Sequence, residues 1–287
     1  MDRGFSEEKS AETVLARMDD AKNERLKEVM TSVIKHLHAV VKEVEPTMDE
    51  WMAAIQFLTA TGQMCDDKRQ EWILLSDTLG VSMLVDAINN RKPGGATEST
   101  VLGPFFVEGA PEVPLGSKIY NEAVDEPCVM SGRVTDLDGN PIANALLDVW
   151  QSDTEGFYDV QKPDEGFDLR VRLQTNENGE YWFVTSMPCA YPIPTDGPVG
   201  AMLTQLGRHP YRPAHVHFIV QAEGYEPVTT HIFPEGGEYL DSDAVFGVKE
   251  SLIIDFPTSS DEEAAQKYGV ESPFRYATYD FVLNPGS

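Results

Sequence analysis

Two histidines separated by one residue near the middle of a β-rich region could bind a metal ion. His215 and His217 end the segment Arg212-Pro-Ala-His-Val-His217, which leads into a run typical of a β-strand. Residues two apart on a strand point to the same face, so the two imidazoles are expected to project together. A pair of this kind standing alone is more often structural, so its meaning depends on whether further ligands exist.

Any further ligands lie outside the usual zinc signatures. The sequence has no CxxC or HExxH motif and no carboxylate at helical spacing near the histidines. The candidates are two tyrosines, although a single tyrosine more often packs with its hydroxyl at the surface. Tyr158 follows a strand-like run at a Gly-containing turn, and Tyr191 lies in the segment Met187-Pro-Cys-Ala-Tyr-Pro-Ile-Pro194. So many prolines argue against β-ladder pairing and predict a loop that lines a cavity.

The charge of such a ligand set would select the metal. A free phenol has a pKa of about 10 and ionises at neutral pH only beside a strong cation. If both tyrosines bind, two phenolates and a hydroxide neutralise Fe(III), and two neutral imidazoles complete the coordination. That set disfavours Fe(II), so we expect a ferric centre that activates an organic substrate.

Four segments of the chain together match the pattern of a known family. They are Thr100-Val-Leu-Gly-Pro-Phe105, Asp148-Val-Trp with Gly156-Phe-Tyr158, Tyr191-Pro-Ile-Pro-Thr-Asp-Gly-Pro198, and Gln205-Leu-Gly-Arg-His-Pro-Tyr-Arg-Pro-Ala-His-Val-His217. With these segments the chain resembles the intradiol ring-cleavage dioxygenases. The resemblance covers nearly the whole chain, and within the family it is strongest to the branch that cleaves hydroxyquinol, a relative of the catechol branch. The combination of two tyrosines with Arg-Pro-Ala-His-Val-His is highly specific.

The resemblance implies one non-haem Fe(III) per subunit, bound by Tyr158, Tyr191, His215 and His217. The substrates would be O2 and a small aromatic diol or triol, cleaved between its two adjacent hydroxylated carbons. Tyr191 would leave the metal when the diol binds and would then act as the local base. Arg212 would stabilise negative charge as it develops on the substrate ring.

The walls of the substrate pocket also follow from the resemblance. Asp77 is the informative residue, because on helical spacing it shares a face with Leu74 and could accept a hydrogen bond from a third hydroxyl. We therefore expect hydroxyquinol (benzene-1,2,4-triol) as substrate, with catechol or chlorocatechol as the alternative. A salt bridge within the helix is the other interpretation of Asp77. The implied substrate-binding residues are Leu74, Asp77, Val101, Leu102, Gly103, Pro104, Phe105, Ile193, Pro194 and Arg212.

Two other classes of protein stay open from the residues alone. One is a non-catalytic β-sandwich carrier similar to transthyretin-like modules, in which the His-x-His pair is structural. The other is a zinc or Fe(II) hydrolase or oxygenase on a β scaffold, which needs a carboxylate ligand that the sequence does not place. Phenolate bound to Fe(III) absorbs visible light, so the colour of the purified protein separates these alternatives.

The residues that precede the candidate site are predicted to be helical. An apolar stripe with helical spacing covers 26–44. Thr47 and Glu50 fit a capping box that opens a second helix. A third helical stretch covers about 67–90, and Gly80 is expected to bend it.

The residue pattern changes from helical spacing to β-strand patterns after the linker Arg91-Lys-Pro-Gly-Gly-Ala96. Short β-rich runs now alternate with turn dipeptides, and Asn178-Gly179 between two such runs predicts a two-residue hairpin. The pattern predicts a mainly β protein, with a β-sandwich behind the helical region. We assign residues 1–98 to a helical dimerisation region and residues 99–287 to the iron-binding catalytic domain.

Composition limits the partners of the chain. Its formal net charge is −26, from 48 acidic and 22 basic residues, and such a field repels nucleic acids and anionic membrane surfaces. No apolar run approaches the roughly 18 residues of a membrane span, and the first residues do not resemble a signal peptide. Three scattered cysteines, Cys65, Cys128 and Cys189, favour a reducing compartment, so a cytoplasmic location is expected. The resemblance implies a homodimer through the N-terminal helices, often with a lipid-like molecule between them.

Overall fold

The chain forms two compact units, Met1–Ala60 and Thr61–Ser287. A computed structural model describes residues 4–66, 69–92, 94–121, 126–162 and 166–286. The α-helices are α1 (Ser10–Leu15), α2 (Glu24–Val44), α3 (Met48–Gln63), α4 (Glu71–Thr78), α5 (Val81–Asn89), α6 (Pro198–Gln205) and α7 (Glu262–Tyr268). Short 3-10 helices cover Ala16–Met18, Asp159–Gln161, Leu240–Ser242 and Glu250–Leu252. Among the helices of the described residues, none has the length and apolar character that a bilayer crossing requires.

The starts of α2 and α3 are fixed by side-chain caps. The Asn23 side chain accepts a hydrogen bond from the backbone N–H of Leu26 at 2.9 Å. The backbone N–H of Thr47 donates to Glu50 Oε2 at 2.8 Å, and the backbone N–H of Glu50 donates to Thr47 Oγ1 at 3.3 Å, which is the predicted capping box.

The first unit, Met1–Ala60, exposes many large apolar side chains on the single chain. They are Leu26, Val29, Val33, Leu37, Val40, Val41, Val44, Met48, Trp51, Met52, Ile55 and Leu58.

The predicted helical stretch over 67–90 consists of two helices, α4 and α5, rather than one. Gly80 stands between them with a φ of +72°, a left-handed conformation that glycine adopts without a steric penalty. The predicted bend is therefore a complete break of the helix. Residues 67–68, at the start of the predicted stretch, lie outside the described residues.

The second unit contains the β-strands, which form a sandwich. They are β1 (Pro127–Asp136), β2 (Leu146–Gln151), β3 (Arg170–Gln174), β4 (Glu180–Ser186), β5 (Tyr191–Pro192), β6 (Tyr211–Arg212), β7 (Val216–Gln221), β8 (Val228–Pro234), β9 (Ile253–Ile254), β10 (Thr258–Ser259), β11 (Phe274–Thr278) and β12 (Phe281–Leu283). One sheet has the order β10-β11-β1-β12 with β4 paired to β1, and the other has the order β3-β2-β7-β8-β9. Apolar side chains from both sheets, such as Met130 and Phe183 with Val149 and Phe218, share one core. The predicted order of a helical region followed by a β-sandwich is confirmed.

The hairpin predicted at Asn178-Gly179 is wrong in its strand pairing. The dipeptide does form a turn, since the backbone N–H of Gly179 donates to the carbonyl of Asn176 at 3.0 Å. However, β3 pairs with β2 and β4 pairs with β1, so the turn joins strands of different sheets. The local turn signal cannot specify which sheet the next strand joins, because that depends on partners distant in sequence.

On the sheet β3-β2-β7-β8-β9, side chains alternate between the two faces, and a row of polar and aromatic side chains lies on the face opposite the core. Trp150 is in register with Arg170 on one side and with His217 on the other, and His217 is in register with His231. Side chains in register on neighbouring strands project to the same face. These four residues, here called the cross-sheet row, therefore lie together on the outer side of the sheet.

Candidate active site

The four predicted ligand residues meet at one buried point beside the cross-sheet row. Tyr158 Oη lies 2.9 Å from His217 Nε2, 3.4 Å from His215 Nε2 and 3.2 Å from Tyr191 Oη. The two histidine Nε2 atoms are 3.0 Å apart. Bonds of roughly 2.0–2.2 Å to a central ion place neighbouring ligand atoms at separations of this size. The donor set therefore fits one metal ion.

The two histidines are held with their Nε2 atoms toward this point. His215 Nδ1 lies 2.7 Å from the carbonyl oxygen of Pro213, to which it donates as neutral Nδ1–H. The ring of His217 stacks on Trp150, with centroids 4.5 Å apart and planes 13° from parallel. Burial lowers the pKa of both imidazoles well below the ordinary value, and neighbouring cationic groups lower it further. Both histidines are therefore neutral at pH 7, as metal coordination requires.

The two tyrosines come from separate loops. Tyr158 precedes the 3-10 helix Asp159–Gln161, where its backbone N–H donates to Gln161 Oε1 at 2.8 Å. Burial raises the pKa of the Tyr158 phenol well above the ordinary value, and the neighbouring Tyr191 raises it further. Tyr191 lies in β5, in register with Arg212 of β6. The prediction that its proline-rich segment avoids ladder pairing is thus wrong over two residues, because Pro192 sits at the end of this very short ladder.

Arg212 lies beside the ligand atoms and is buried. Its Nη1 is 3.3 Å from His215 Nε2 and 3.5 Å from Tyr191 Oη. On the other side its Nε donates to Asp243 Oδ1 at 3.1 Å. Burial by itself lowers the pKa of Arg212, but the Asp243 carboxylate together with Tyr191 and Tyr158 outweighs burial, and the pKa is raised. The site therefore contains one permanently charged guanidinium.

A cavity of about 740 Å³ adjoins the cluster. Five of the predicted substrate-binding residues are on its wall, namely Leu74, Asp77, Pro104, Phe105 and Pro194. Phe105 forms the boundary with the ligands, since its ring stacks on Tyr158 with centroids 4.5 Å apart. Asp77 is buried, and burial raises the pKa of its carboxyl group. The alternative in which Asp77 serves only a salt bridge within its helix has no support in the described residues.

The remaining predicted pocket residues are arranged differently. Gly103 is close to His217, because a Cβ added there would lie 3.3 Å from His217 Cε1. The backbone of Val101 lies beside His231, and Ile193 is buried in a small apolar cluster. Leu102 is 42% exposed and does not line the cavity.

Sequence reasoning missed His231 and Asp243 as members of this site. His215, His217 and His231 are buried with their nitrogen atoms near enough to one another to hold a metal ion. His231 Nδ1 faces Arg212 Nη2 at 3.4 Å, and its Nε2 has no hydrogen-bond partner among the described residues. Strand alternation could have suggested His231, since its side chain points to one face of the sheet and those of its neighbours Thr230 and Ile232 point to the other face. Nothing local could have suggested Asp243.

Comparison with known families decides which class this site belongs to. The family model described as "Dioxygenase" matches residues 101–285 of this chain. The family model described as "Catechol dioxygenase N terminus" matches residues 23–97. The chain belongs to the intradiol ring-cleavage dioxygenase family. Members of this family are iron-dependent. In this chain the buried cluster of His215, His217 and His231 could hold a metal ion.

Individual relatives of this intradiol dioxygenase agree with the family assignment. Hydroxyquinol 1,2-dioxygenase from Rhizobium sp. (strain MTP-10005) is 56% identical, covering 97% of this chain and 96% of the relative. The 6-chlorohydroxyquinol 1,2-dioxygenase of Cupriavidus pinatubonensis is 50% identical, covering 98% of each chain. The crystal structure of hydroxyquinol 1,2-dioxygenase from Pseudomonas putida DLL-E4 superposes with a TM-score of 0.92 at 47% identity, over 98% of this chain and 99% of that chain.

Proposed function

We propose that this intradiol dioxygenase cleaves hydroxyquinol with O2 to 3-hydroxy-cis,cis-muconate, the enol form of maleylacetate. The observation that carries the proposal is the buried carboxyl group of Asp77 on the wall of the cavity that adjoins the ligand cluster. A third ring hydroxyl can donate a hydrogen bond to this group. A site built to bond a hydroxyl discriminates strongly against an analogue that lacks it. The names of the relatives from Rhizobium sp. and Pseudomonas putida support the same substrate.

We further propose one non-haem Fe(III) per chain, with Tyr158, Tyr191, His215 and His217 as ligands. The convergence of two phenol oxygens and two neutral imidazoles on one buried point supports this set. Phenolates suit a trivalent ion, and bound Fe(III) supplies Lewis-acid activation of the diolate ring toward O2. Burial raises the pKa of the Tyr158 phenol, so ionising it requires a strong cation nearby.

The chain's own residues then have distinct roles. Arg212 presents its guanidinium to the ligand cluster, where it stabilises negative charge on the bound ring. In this proposal Tyr191, whose Oη is 3.5 Å from Arg212 Nη1, accepts a proton from a substrate hydroxyl. Phe105, whose ring contacts Tyr158 and Tyr191, covers these two residues on the cavity side and limits the entry of water.

Catechol or a chlorocatechol is the second candidate substrate, because intradiol cleavage itself needs only two adjacent hydroxyls. The test is kcat/KM for hydroxyquinol and for catechol with the purified iron-loaded protein. We expect hydroxyquinol to be the better substrate by at least about tenfold, since one hydrogen bond to a charged group contributes about 1.5–3 kcal/mol. A higher kcat/KM for catechol would assign the chain to the other branch of the family.

For assembly, we propose a homodimer formed through the N-terminal region 1–98, with a lipid-like molecule at the interface, and catalysis in the domain 99–287. The exposed apolar side chains of α2 and α3 support an interface, because large apolar patches on a soluble protein mark interaction sites. A cytoplasmic location is proposed from the three cysteines, which are unpaired.

A further inference from the structure

A buried ion pair adjoins Tyr158, and its carboxylate partner also lines the cavity. Arg170 is 2% exposed and belongs to the cross-sheet row, and Asp159 follows Tyr158 in the chain. Arg170 Nε donates to Asp159 Oδ2 at 2.8 Å, and Arg170 Nη2 donates to Asp159 Oδ1 at 2.6 Å. This two-pronged geometry fixes the carboxylate in position and in orientation.

The same guanidinium also holds the residue that stacks on Tyr158. Arg170 Nη2 donates to the backbone carbonyl of Phe105 at 2.7 Å. The Phe105 ring lies 4.5 Å from the Tyr158 ring at 21° from parallel. Arg170 therefore restrains Tyr158 through two neighbours: Asp159, which follows Tyr158 in the chain, and Phe105, whose ring stacks on the Tyr158 ring.

A third connection reaches the histidine side of the cluster. Arg170 is in register with Trp150, whose ring stacks on His217 at 4.5 Å. Removing one partner of a buried pair is strongly destabilising, whereas apolar residues of similar volume in place of both partners often stabilise the fold as well as the pair does. A charged pair at this position is therefore better explained by geometry than by stability alone.

We propose that Arg170 is a positioning residue, which through Asp159 and Phe105 fixes the direction in which the Tyr158 phenol oxygen faces the metal. This inference rests on the proposed function, in which Tyr158 is an iron ligand. Groups that orient ligands in this way typically change metal affinity or activity by roughly 10- to 100-fold when altered.

The test uses Arg170→Lys, which keeps the charge but loses the planar fork, together with Asp159→Asn. The control is Arg172→Lys on the same strand, where Arg172 Nε donates to the carbonyl of Ala110 at 2.9 Å. The measurements on full-length iron-loaded protein are the position of the phenolate-to-iron absorption band, the rate of iron loss to a chelator, and thermal unfolding. We expect both site variants to shift the band and to lose iron roughly 10- to 100-fold faster, while the control behaves as wild type.

Each outcome separates this inference from the proposed function. A wild-type protein with no visible band overturns the proposed iron site itself. A coloured wild type with Arg170→Lys unchanged in band position and iron loss overturns the positioning role, even if the variant unfolds at a lower temperature. If Arg170→Lys fails to fold, Asp159→Asn decides by the same two readouts.

Discussion

Asp243 holds Arg212 from behind, with Asp243 Oδ1 3.1 Å from Arg212 Nε and both side chains almost fully buried. The carboxylate is itself fixed by backbone N–H groups, since Gly247 donates to Oδ2 at 2.8 Å and Val245 donates to Oδ1 at 3.3 Å. The guanidinium therefore reaches the ligand cluster in a single orientation. Arg212 is held in place before any substrate arrives, which is what electrostatic stabilisation requires.

Asp243→Asn tests this arrangement. The amide keeps the shape but removes the charge that pairs with Arg212, so we expect kcat/KM to fall by about 100-fold. The free energy of unfolding should drop by about 3–5 kcal/mol, because a buried charge loses its partner. Iron content should stay near that of wild type. Wild-type kinetics in Asp243→Asn would show that Arg212 does not depend on this partner.

The two tyrosines should respond differently to loss of their hydroxyls. Tyr158→Phe removes a phenol that is fully buried among the other ligands, so we expect weaker iron binding and a shifted band. Tyr191→Phe should retain more iron but turn over more slowly, because its proposed role includes accepting a proton. Metal analysis, absorption spectra and kcat check this. Equal behaviour of the two variants, or stoichiometric zinc in the colourless wild type, would contradict the assignment.

His231 tests which members of the histidine cluster bind the metal. In His231→Asn the amide oxygen can still accept from Arg212 Nη2, replacing Nδ1, so we expect iron content near wild type. In His217→Asn a ligand nitrogen is lost, and iron binding should weaken by more than the roughly 10- to 100-fold typical of outer groups. Iron-to-protein ratios after dialysis measure both. Loss of iron from His231→Asn would indicate a ligand set built on three histidines.

Asp77→Asn tests the proposed basis of substrate choice. The neutral amide is a weaker acceptor, so the ratio of kcat/KM for hydroxyquinol to that for catechol should fall by about tenfold or more. Asp138→Asn is the control, because it makes the same change at an exposed carboxylate that does not line the cavity. An unchanged ratio in Asp77→Asn would leave the preference intact but remove Asp77 as its cause.

The apolar face of α2 predicts the assembly state. Wild type should show twice the 31.8 kDa chain mass in light scattering at micromolar concentration. Leu37→Lys with Val41→Lys places charges among side chains that are 59% and 55% exposed on the single chain, and should shift the protein toward the monomer. Glu43→Lys is the control on the same helix. A monomeric wild type would refute the dimer.

The sequence by itself determined those features that depend on neighbouring residues. Strand alternation placed His215 and His217 together, and the capping box of Thr47 and Glu50 opened α3 where predicted. Such patterns extend over a few residues, so the forces that produce them are visible in a short stretch of chain. The two tyrosines were only candidates from the residues, and the resemblance to a known family joined them to the histidines as one ligand set.

Only the tertiary structure decided which distant groups meet. Tyr158 and His217 are 59 residues apart and Arg212 and Asp243 are 31 apart, yet each pair is in contact. The same is true of the turn at Asn178-Gly179, whose strands joined different sheets. Strand partners are chosen by burial of whole sheet faces, a property of the assembled sandwich, and that choice formed the cross-sheet row and brought His231 to the site.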